Sequence, residues 1–298
     1  MEKRLYGKTG MNVSVLGFGG AEIGYEGATQ QSVDRLLGSA LDAGLNLIDT
    51  AECYRNSEEL IGKAIAHRRG EFYLFTKCGH AKGFDLPDWD PGMIAQSIDR
   101  SLRLLRTDYV DVIHLHSCSE EILRRGYVIE ALQKAKQQGK TRFIGYSGDS
   151  AAALYAVKSG VFDSLEISLN IADQEAIDLV IPEATKREMG VVVKRPIANA
   201  AWKTGKLPEN QYAHTYWHRL QELAYDFLKP GSSESIGIAL RFTLSVPGVH
   251  SAIVGTAKPE RWVENARLLE AGPLPPDLYQ AIRERWKQIA KPAWVGQQ

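Results

Sequence analysis

Apolar and polar positions follow two alternating rhythms along the chain. Short apolar runs rich in β-branched residues are followed by longer stretches in which apolar residues recur every three to four positions. The runs predict strands at 14–18, 45–49, 72–77, 110–116, 141–146, 165–169, 190–194 and 251–255. The longer stretches predict helices at 29–43, 57–69, 92–106, 119–138, 150–159, 174–189, 233–245 and 259–270. Gly44, Gly139, Gly160 and Gly190 each follow a helical stretch, where a C-terminal cap belongs. The result is eight β-then-α units in order, with a longer gap before the last strand. Repeated crossovers imply a parallel sheet, and eight units favour an α/β fold of the (βα)8 TIM-barrel kind. KRLYGKTGMNVS (3–14) reads as an N-terminal β-hairpin, and an extra C-terminal helix is expected near 275–290. Segments 79–91 and 197–231 show no periodicity. No linker or low-complexity tract interrupts 1–298, which predicts one barrel domain.

Composition narrows the classes of function. Of 298 residues, 36 are Lys or Arg and 36 are Asp or Glu, so the formal charge is zero. This gives no global attraction to nucleic acid or to an anionic membrane. With 44% hydrophobic and 24% charged residues, the chain has a globular rather than a disordered composition. Three scattered cysteines (Cys53, Cys78, Cys118) make no disulfide framework, and no run has the length of a signal peptide or membrane span. The expectation is a reduced, cytoplasmic location.

Several familiar motifs fail on a single residue. Gly17-Phe18-Gly19-Gly20 approaches the dinucleotide fingerprint, but Glu22 stands in place of the third glycine. Gly145-Tyr146-Ser147-Gly148 approaches a nucleophile elbow that Asp149 breaks. What remains is a set of polar residues where apolar strands stop: Asp49, Lys77 and His116, with Tyr54 five residues beyond Asp49. In barrel enzymes, chemistry gathers at these strand ends. Alternation places Asp49 with Leu45 and Leu47, Lys77 with Tyr73 and Phe75, and His116 with Val112 and His114. If those faces point inward, an acid, a lysine and a histidine meet at the barrel mouth, where pairing Lys77 with Asp49 lowers the cost of burying charge. An ammonium beside a phenol favours its ionised form, so Lys77 would lower the pKa of Tyr54. Tyr54 could then give a proton to a carbonyl oxygen becoming an alkoxide, while His116 orients that carbonyl. Such an assembly provides no hydride of its own and requires a cofactor.

The stretches LGFGGAEIG (16–24), LIDTAECYRNSEELIGKAI (47–65), FTK (75–77), YVDVIHLH (109–116), FIGYSG (143–148) and SAIVGTAKPERWVEN (251–265) resemble the aldo-keto reductases in order and over nearly the whole chain. The resemblance implies a catalytic set of Tyr54, Lys77, Asp49 and His116. It also implies an NADP cofactor, or NAD, extended across the mouth. Ser147 would hold the carboxamide, and Thr256, Arg261, Glu264 and Asn265 the adenosine end. A guanidinium at Arg261 suits a 2′-phosphate. The family's pattern is altered at Gly148, at Glu166 (Gln in the family), at Lys194-Arg195-Pro196 beneath the nicotinamide, and at Gly255, where part of the family has a phosphate-binding lysine. Glu166 and Lys194 end neighbouring predicted strands and are expected to pair with each other.

The implied activity is reduction of an aldehyde or ketone to an alcohol, or the reverse, on a small-molecule carbonyl or alcohol substrate. The protein is expected to be a monomer or weak oligomer without nucleic-acid or membrane partners. Three other readings stay open: a non-catalytic regulatory barrel resembling potassium-channel β subunits, an aldose 1-dehydrogenase working oxidatively, and a Schiff-base lyase built on Lys77. Glu22, Trp89 and Trp202 are candidates for the substrate pocket, although the tryptophans could equally pack their loops. His114 is expected to be a hydrogen-bonded core residue. The cysteines lie near the predicted mouth and make oxidation sensitivity conceivable. No metal site is expected, because Cys78 should face away from Lys77.

Overall fold

In the computed structural model, which describes residues 1–297, eight parallel strands close into a barrel. An antiparallel hairpin, β1 (Lys3–Leu5) and β2 (Asn12–Ser14), precedes it. The barrel strands are β3 (Leu16–Gly19), β4 (Leu47–Asp49), β5 (Tyr73–Cys78), β6 (Val110–His116), β7 (Thr141–Ser147), β8 (Ser164–Ser168), β9 (Gly190–Lys194) and β10 (Ser251–Gly255). They neighbour one another in chain order, and β10 closes onto β3. No helix among the described residues is long and apolar enough to cross a membrane.

The core has two compartments. Inside the barrel, Leu47, Phe75, Val112, Val192 and Ile253 pack with Tyr6, Met11 and Val13. The last three come from the N-terminal hairpin segment, which therefore plugs the lower end of the barrel. The Tyr6 hydroxyl shares a hydrogen bond of 2.6 Å with Ser164 Oγ. Outside, the alternate residues of the same strands (Ile48, Leu74, Ile113) pack beneath the helices. Period-two alternation thus serves both layers, as a doubly covered parallel sheet requires.

Helices break where local chemistry breaks them. The expected 119–138 helix is two, Glu120–Arg125 and Tyr127–Gln137, parted by Gly126 at φ +83°. The expected 174–189 helix divides into Glu175–Leu179 and Ile181–Lys186, with Pro182 in the first turn of the second. Proline lacks an N–H and crowds the preceding residue, so it opens a helix more readily than it continues one. The 197–231 segment holds a helix that the pattern reading missed, His214–Leu223. Its buried Tyr216, Leu220 and Leu223 do recur at helical spacing. The C-terminal helix spans Pro276–Ile289.

Gly44, Gly139 and Gly160 have positive φ at helix ends, whereas Gly190 does not. Glu188 takes the left-handed conformation instead, and Gly190 opens β9. Its missing side chain makes room for Tyr6: a Cβ there would lie 2.2 Å from the ring. Gly190→Ala should therefore push Tyr6 off its seat and destabilise the fold by about 1–3 kcal/mol, the usual cost of overpacking. Urea unfolding would check this as a lower midpoint with an unchanged slope; an unaltered midpoint would show that the Tyr6 plug yields freely.

Candidate active site

The inward faces of β4 to β9 end in polar residues at the same end of the barrel, whereas β3 and β10 end there in Gly19 and Gly255. Asp49 ends β4, one period above Leu47; Lys77 lies one period above Phe75 on β5; His114 and His116 follow Val112 on β6. Tyr54 comes from the loop after β4. That loop is clamped by Ser57, whose hydroxyl donates to Gly20 O at 2.7 Å. It is also held by close packing at Gly24, where a Cβ would lie 2.2 Å from Tyr54 O. Arg55, Ser117 and Arg195, each directly following a candidate site residue, have left-handed backbone conformations at φ +52°, +60° and +58°. Such conformations cost energy in non-glycine residues and concentrate at functional sites.

Lys77 is wholly buried, and its ammonium has three partners. It donates to Asp49 Oδ2 and to Thr50 O at 3.0 Å, and lies 3.2 Å from Glu166 Oε2. Two carboxylates thus flank one cation. It also lies 5.2 Å from the Tyr54 ring centroid. The Tyr54 ring meets His116 edge-on at 5.7 Å. Asp49, Tyr54, Lys77 and His116 are therefore brought together.

Burial governs protonation here. It pushes the Tyr54 hydroxyl above its ordinary value; Lys77 pulls it down, but Glu166 and Asp49 oppose that pull. The expected net lowering by Lys77 is thus outweighed by desolvation, and Tyr54 rests as a protonated phenol. Burial, helped by the Lys77 charge, holds His116 well below the usual imidazole range, so it is neutral. Asp49 is raised, first by burial and then by Glu166. Burial alone would raise Glu166 too, but Lys77 holds it down to about 2.

Ser147 and Glu166 lie in register with His116 across β6, β7 and β8. Ser147 Oγ is buried and has no hydrogen-bond partner. A Cβ at Gly145, two residues earlier, would meet the inward-facing His114, so Ser147 shares the inner face. Glu166 and Lys194 do not pair with each other. Lys194 pairs instead with Asp149 at 3.1 Å, since Glu166 is drawn inward to Lys77. Arg195 donates to Ser168 Oγ and to the carbonyl of Gln297, placing the C-terminal tail beside this rim. Pro196 O accepts from Thr243.

Beyond the neighbouring strand β10, Thr256 Oγ1 accepts from Lys258 N at 3.1 Å, and Arg261 pairs with exposed Glu264 at 3.2 Å. Asn265 is buried on the same helix, Arg261–Leu268. The Glu22 carboxylate packs directly over Gly255, in the space that a side chain at 255 would claim. Burial raises that carboxyl to about 7. Trp89 stands edge-on to His80, whose ring is 5.3 Å from His116. Trp202 is 4% exposed and packs its loop onto the hydrophobic layer.

His114 is fully buried, with Nε2 2.8 Å from Ser164 Oγ, the hydrogen-bonded core position expected of it. It joins Asp49 and Glu166 in a buried group of ligating atoms, but the Lys77 ammonium already contacts both carboxylates of that group. Of the cysteines, only Cys53 reaches the site, with Sγ 3.4 Å from His116 Nδ1. Cys78 and Cys118 belong to the outer layer. Burial raises Cys53 to about 11 and Cys118 to about 12, which leaves little of the reactive thiolate. The sequence reading missed His80, Asp149 and the contact of Glu166 with Lys77. The last was signalled by strand parity, because Glu166 shares a face with Ser164.

The model of the Aldo/keto reductase family matches residues 15–287. A protein of Arabidopsis thaliana named L-galactose dehydrogenase is 30% identical, covering 100% of this chain and 99% of its own length. A Schizosaccharomyces pombe chain assigned by name to the voltage-gated potassium channel β subunits is 30% identical, over 94% of this chain and 92% of its own. Among solved structures, an aldo-keto reductase from Bacillus halodurans in its holo form superposes with a TM-score of 0.80 at 27% identity, over 96% of both chains.

Proposed function

Because this chain belongs to the aldo/keto reductase family, we propose that it interconverts a small aldehyde or ketone and the corresponding alcohol, using NADP(H) or NAD(H). The observation that carries this reading is the protonated Tyr54 phenol set beside a buried, doubly anchored Lys77 and a neutral His116. In the reducing direction, Tyr54 gives its proton to the oxygen that gains charge. Lys77 stabilises the phenolate left behind, and Asp49 and Thr50 O keep the ammonium aimed. Neutral His116 hydrogen-bonds the substrate oxygen and sets its approach. When bound, a nicotinamide dinucleotide supplies or takes the hydride.

The residues at the mouth fit that cofactor. The orphaned Ser147 hydroxyl offers a hydrogen bond to a carboxamide, and burying it otherwise unpaired would be costly. Lys194, Arg195 and Pro196 form the neighbouring rim. Arg261, with one exposed carboxylate partner, can turn its fork to a 2′-phosphate; Glu264 and Asn265 share its helix, and Thr256 directly follows β10.

The test is spectrophotometric: NADPH and NADH consumption against a carbonyl panel, and NADP+ and NAD+ reduction against alcohols and aldoses. Turnover with at least one pair is expected. Retained dinucleotide binding without turnover in either direction would favour the regulatory barrel and overturn the catalytic reading. A second reading, oxidation of an aldose, is favoured by the full-length similarity to the L-galactose dehydrogenase. Reduction of NAD+ by L-galactose is its specific check.

A further inference from the structure

Around the Lys77 ammonium the charges in direct contact do not balance. Asp49 and Glu166 contribute two carboxylates, and Lys77 contributes one cation. All three are buried, so solvent does not screen the excess. Among the described residues, no cation other than Lys77 forms an ion pair with Glu166. His114 on β6 is 3.9 Å from Glu166 Oε2 and is neutral, its burial holding it at about 4. His116, on the same strand, is neutral as well. Lys194 on β9 favours the Glu166 charge only from beyond ion-pair distance; it pairs with Asp149 at 3.1 Å, and Arg195 lies 3.9 Å from the same carboxylate. Tyr54 from the β4 loop and Tyr6 from the hairpin are uncharged phenols. Ser147 on β7 is uncharged. Two carboxylates around one ammonium in a dry site therefore keep one proton between them, which is why Asp49 is driven up while Glu166 is held down.

A ligand that brings a positive charge to the mouth can replace that proton. On the reading given under Proposed function, one ligand does so in only one of its two states. The oxidised nicotinamide ring is a cation, and the reduced ring is neutral. Hydride transfer requires the ring carbon within about 3.5 Å of the substrate carbon. Tyr54 must reach the oxygen on that same carbon, and Lys77 is 5.2 Å from the Tyr54 ring. The ring therefore binds close to the cluster whenever the site is competent.

We propose that the Asp49–Lys77–Glu166 cluster distinguishes the redox states of the cofactor, releasing its shared carboxyl proton when the oxidised dinucleotide binds and keeping it when the reduced one does. The proton goes to solvent, and the carboxylate it leaves would offset the charge of a bound pyridinium ring. No electron moves in this step. The consequence is a site poised toward alcohol oxidation as pH rises, through the affinity for the oxidised form.

The experiment is calorimetric titration of the whole protein with NADP+ and NADPH, and with NAD+ and NADH, at pH 7 in two buffers of different ionisation enthalpy. The binding heats then report the protons exchanged. Release of about one proton is expected with the oxidised forms and none with the reduced. The affinity for the oxidised form should tighten by up to about tenfold per pH unit while the pair still holds its proton, with the reduced form unchanged. In Glu166→Gln the release should disappear. Binding of the oxidised form should weaken by about tenfold or more, while the reduced form loses much less. The wild-type proton count needs no variant, so a misfolded variant does not spoil the test. Equal proton exchange with both forms, or equal weakening of both by Glu166→Gln, overturns the proposal and leaves Glu166 as an anchor for Lys77 alone. Failure of every dinucleotide to bind would instead overturn the reading under Proposed function.

Discussion

Tyr54→Phe is expected to reduce turnover by about 10²–10⁴-fold, the contribution of a positioned general acid, while dinucleotide affinity changes by less than about twofold. The substitution removes one oxygen and keeps the ring. The packing of that ring against His116 at 5.7 Å and Tyr25 at 6.0 Å should survive, so the fold and the mouth should persist. Only the proton is lost. His116 cannot substitute for it in the reducing direction, because burial keeps its imidazole neutral. Water could deliver a proton slowly, which accounts for the residual rate expected. Single-turnover measurements with saturating NADPH separate the chemical step from release. Full activity in Tyr54→Phe would remove tyrosine acid catalysis altogether.

The pattern of the chain made the barrel legible because the barrel is a periodic object. Eight strands with period two and intervening stretches with period 3.6 leave a signal that needs no partner, and β6, β9 and β10 begin and end where the pattern places them. Helix breaks at Gly126 and Pro182 were harder to foresee because apolar spacing continues across them. The missed helix His214–Leu223 has its apolar residues at helical spacing, but it sits among Gly, Pro and Asn that read as loop.

The site was legible in part for the same reason. Parity aimed Asp49, Lys77 and His116 inward, and the flanking motifs singled out Tyr54. Partner choice was not legible, since it is a property of three dimensions. Glu166 turns to Lys77 across two intervening strands, and Lys194 turns to Asp149, an arrangement that neighbouring strand ends alone could not distinguish from a Glu166–Lys194 pair. The net effect on Tyr54 was equally hidden. Proximity of a lysine argues for a lowered pKa, but burial and two nearby acids decide the direction.

Lys77→Met should be the most destabilising of these substitutions, by about 3–5 kcal/mol near neutral pH, because removing one member of a buried ionic cluster leaves the others uncompensated. Methionine fills much of the same volume, so little of the loss comes from a cavity. What remains is Asp49 facing Glu166 in a dry site, with Thr50 O also stripped of its donor. Burial and mutual repulsion then hold both carboxyls above their unfolded values of about 4. A group raised in the folded state adds stability below its unfolded pKa and loses it as pH climbs through the folded one. The deficit of Lys77→Met should therefore widen from pH 5 to pH 8. Wild-type Glu166, held down to about 2 by the ammonium, contributes in the opposite sense: its stability is present above the ordinary carboxylate range and disappears only in acid. Urea midpoints of both proteins at pH 5, 6.5 and 8 measure the divergence. A triple variant, Asp49→Asn with Lys77→Met and Glu166→Gln, separates charge from packing. Once the carboxylates are neutral, most of the loss should return and its pH dependence should flatten, since neutral groups of similar shape replace buried ions at little cost. A deficit in Lys77→Met that stays constant with pH would mean that the two acids do not feel each other, and the charge imbalance at the barrel mouth would then have no energetic consequence.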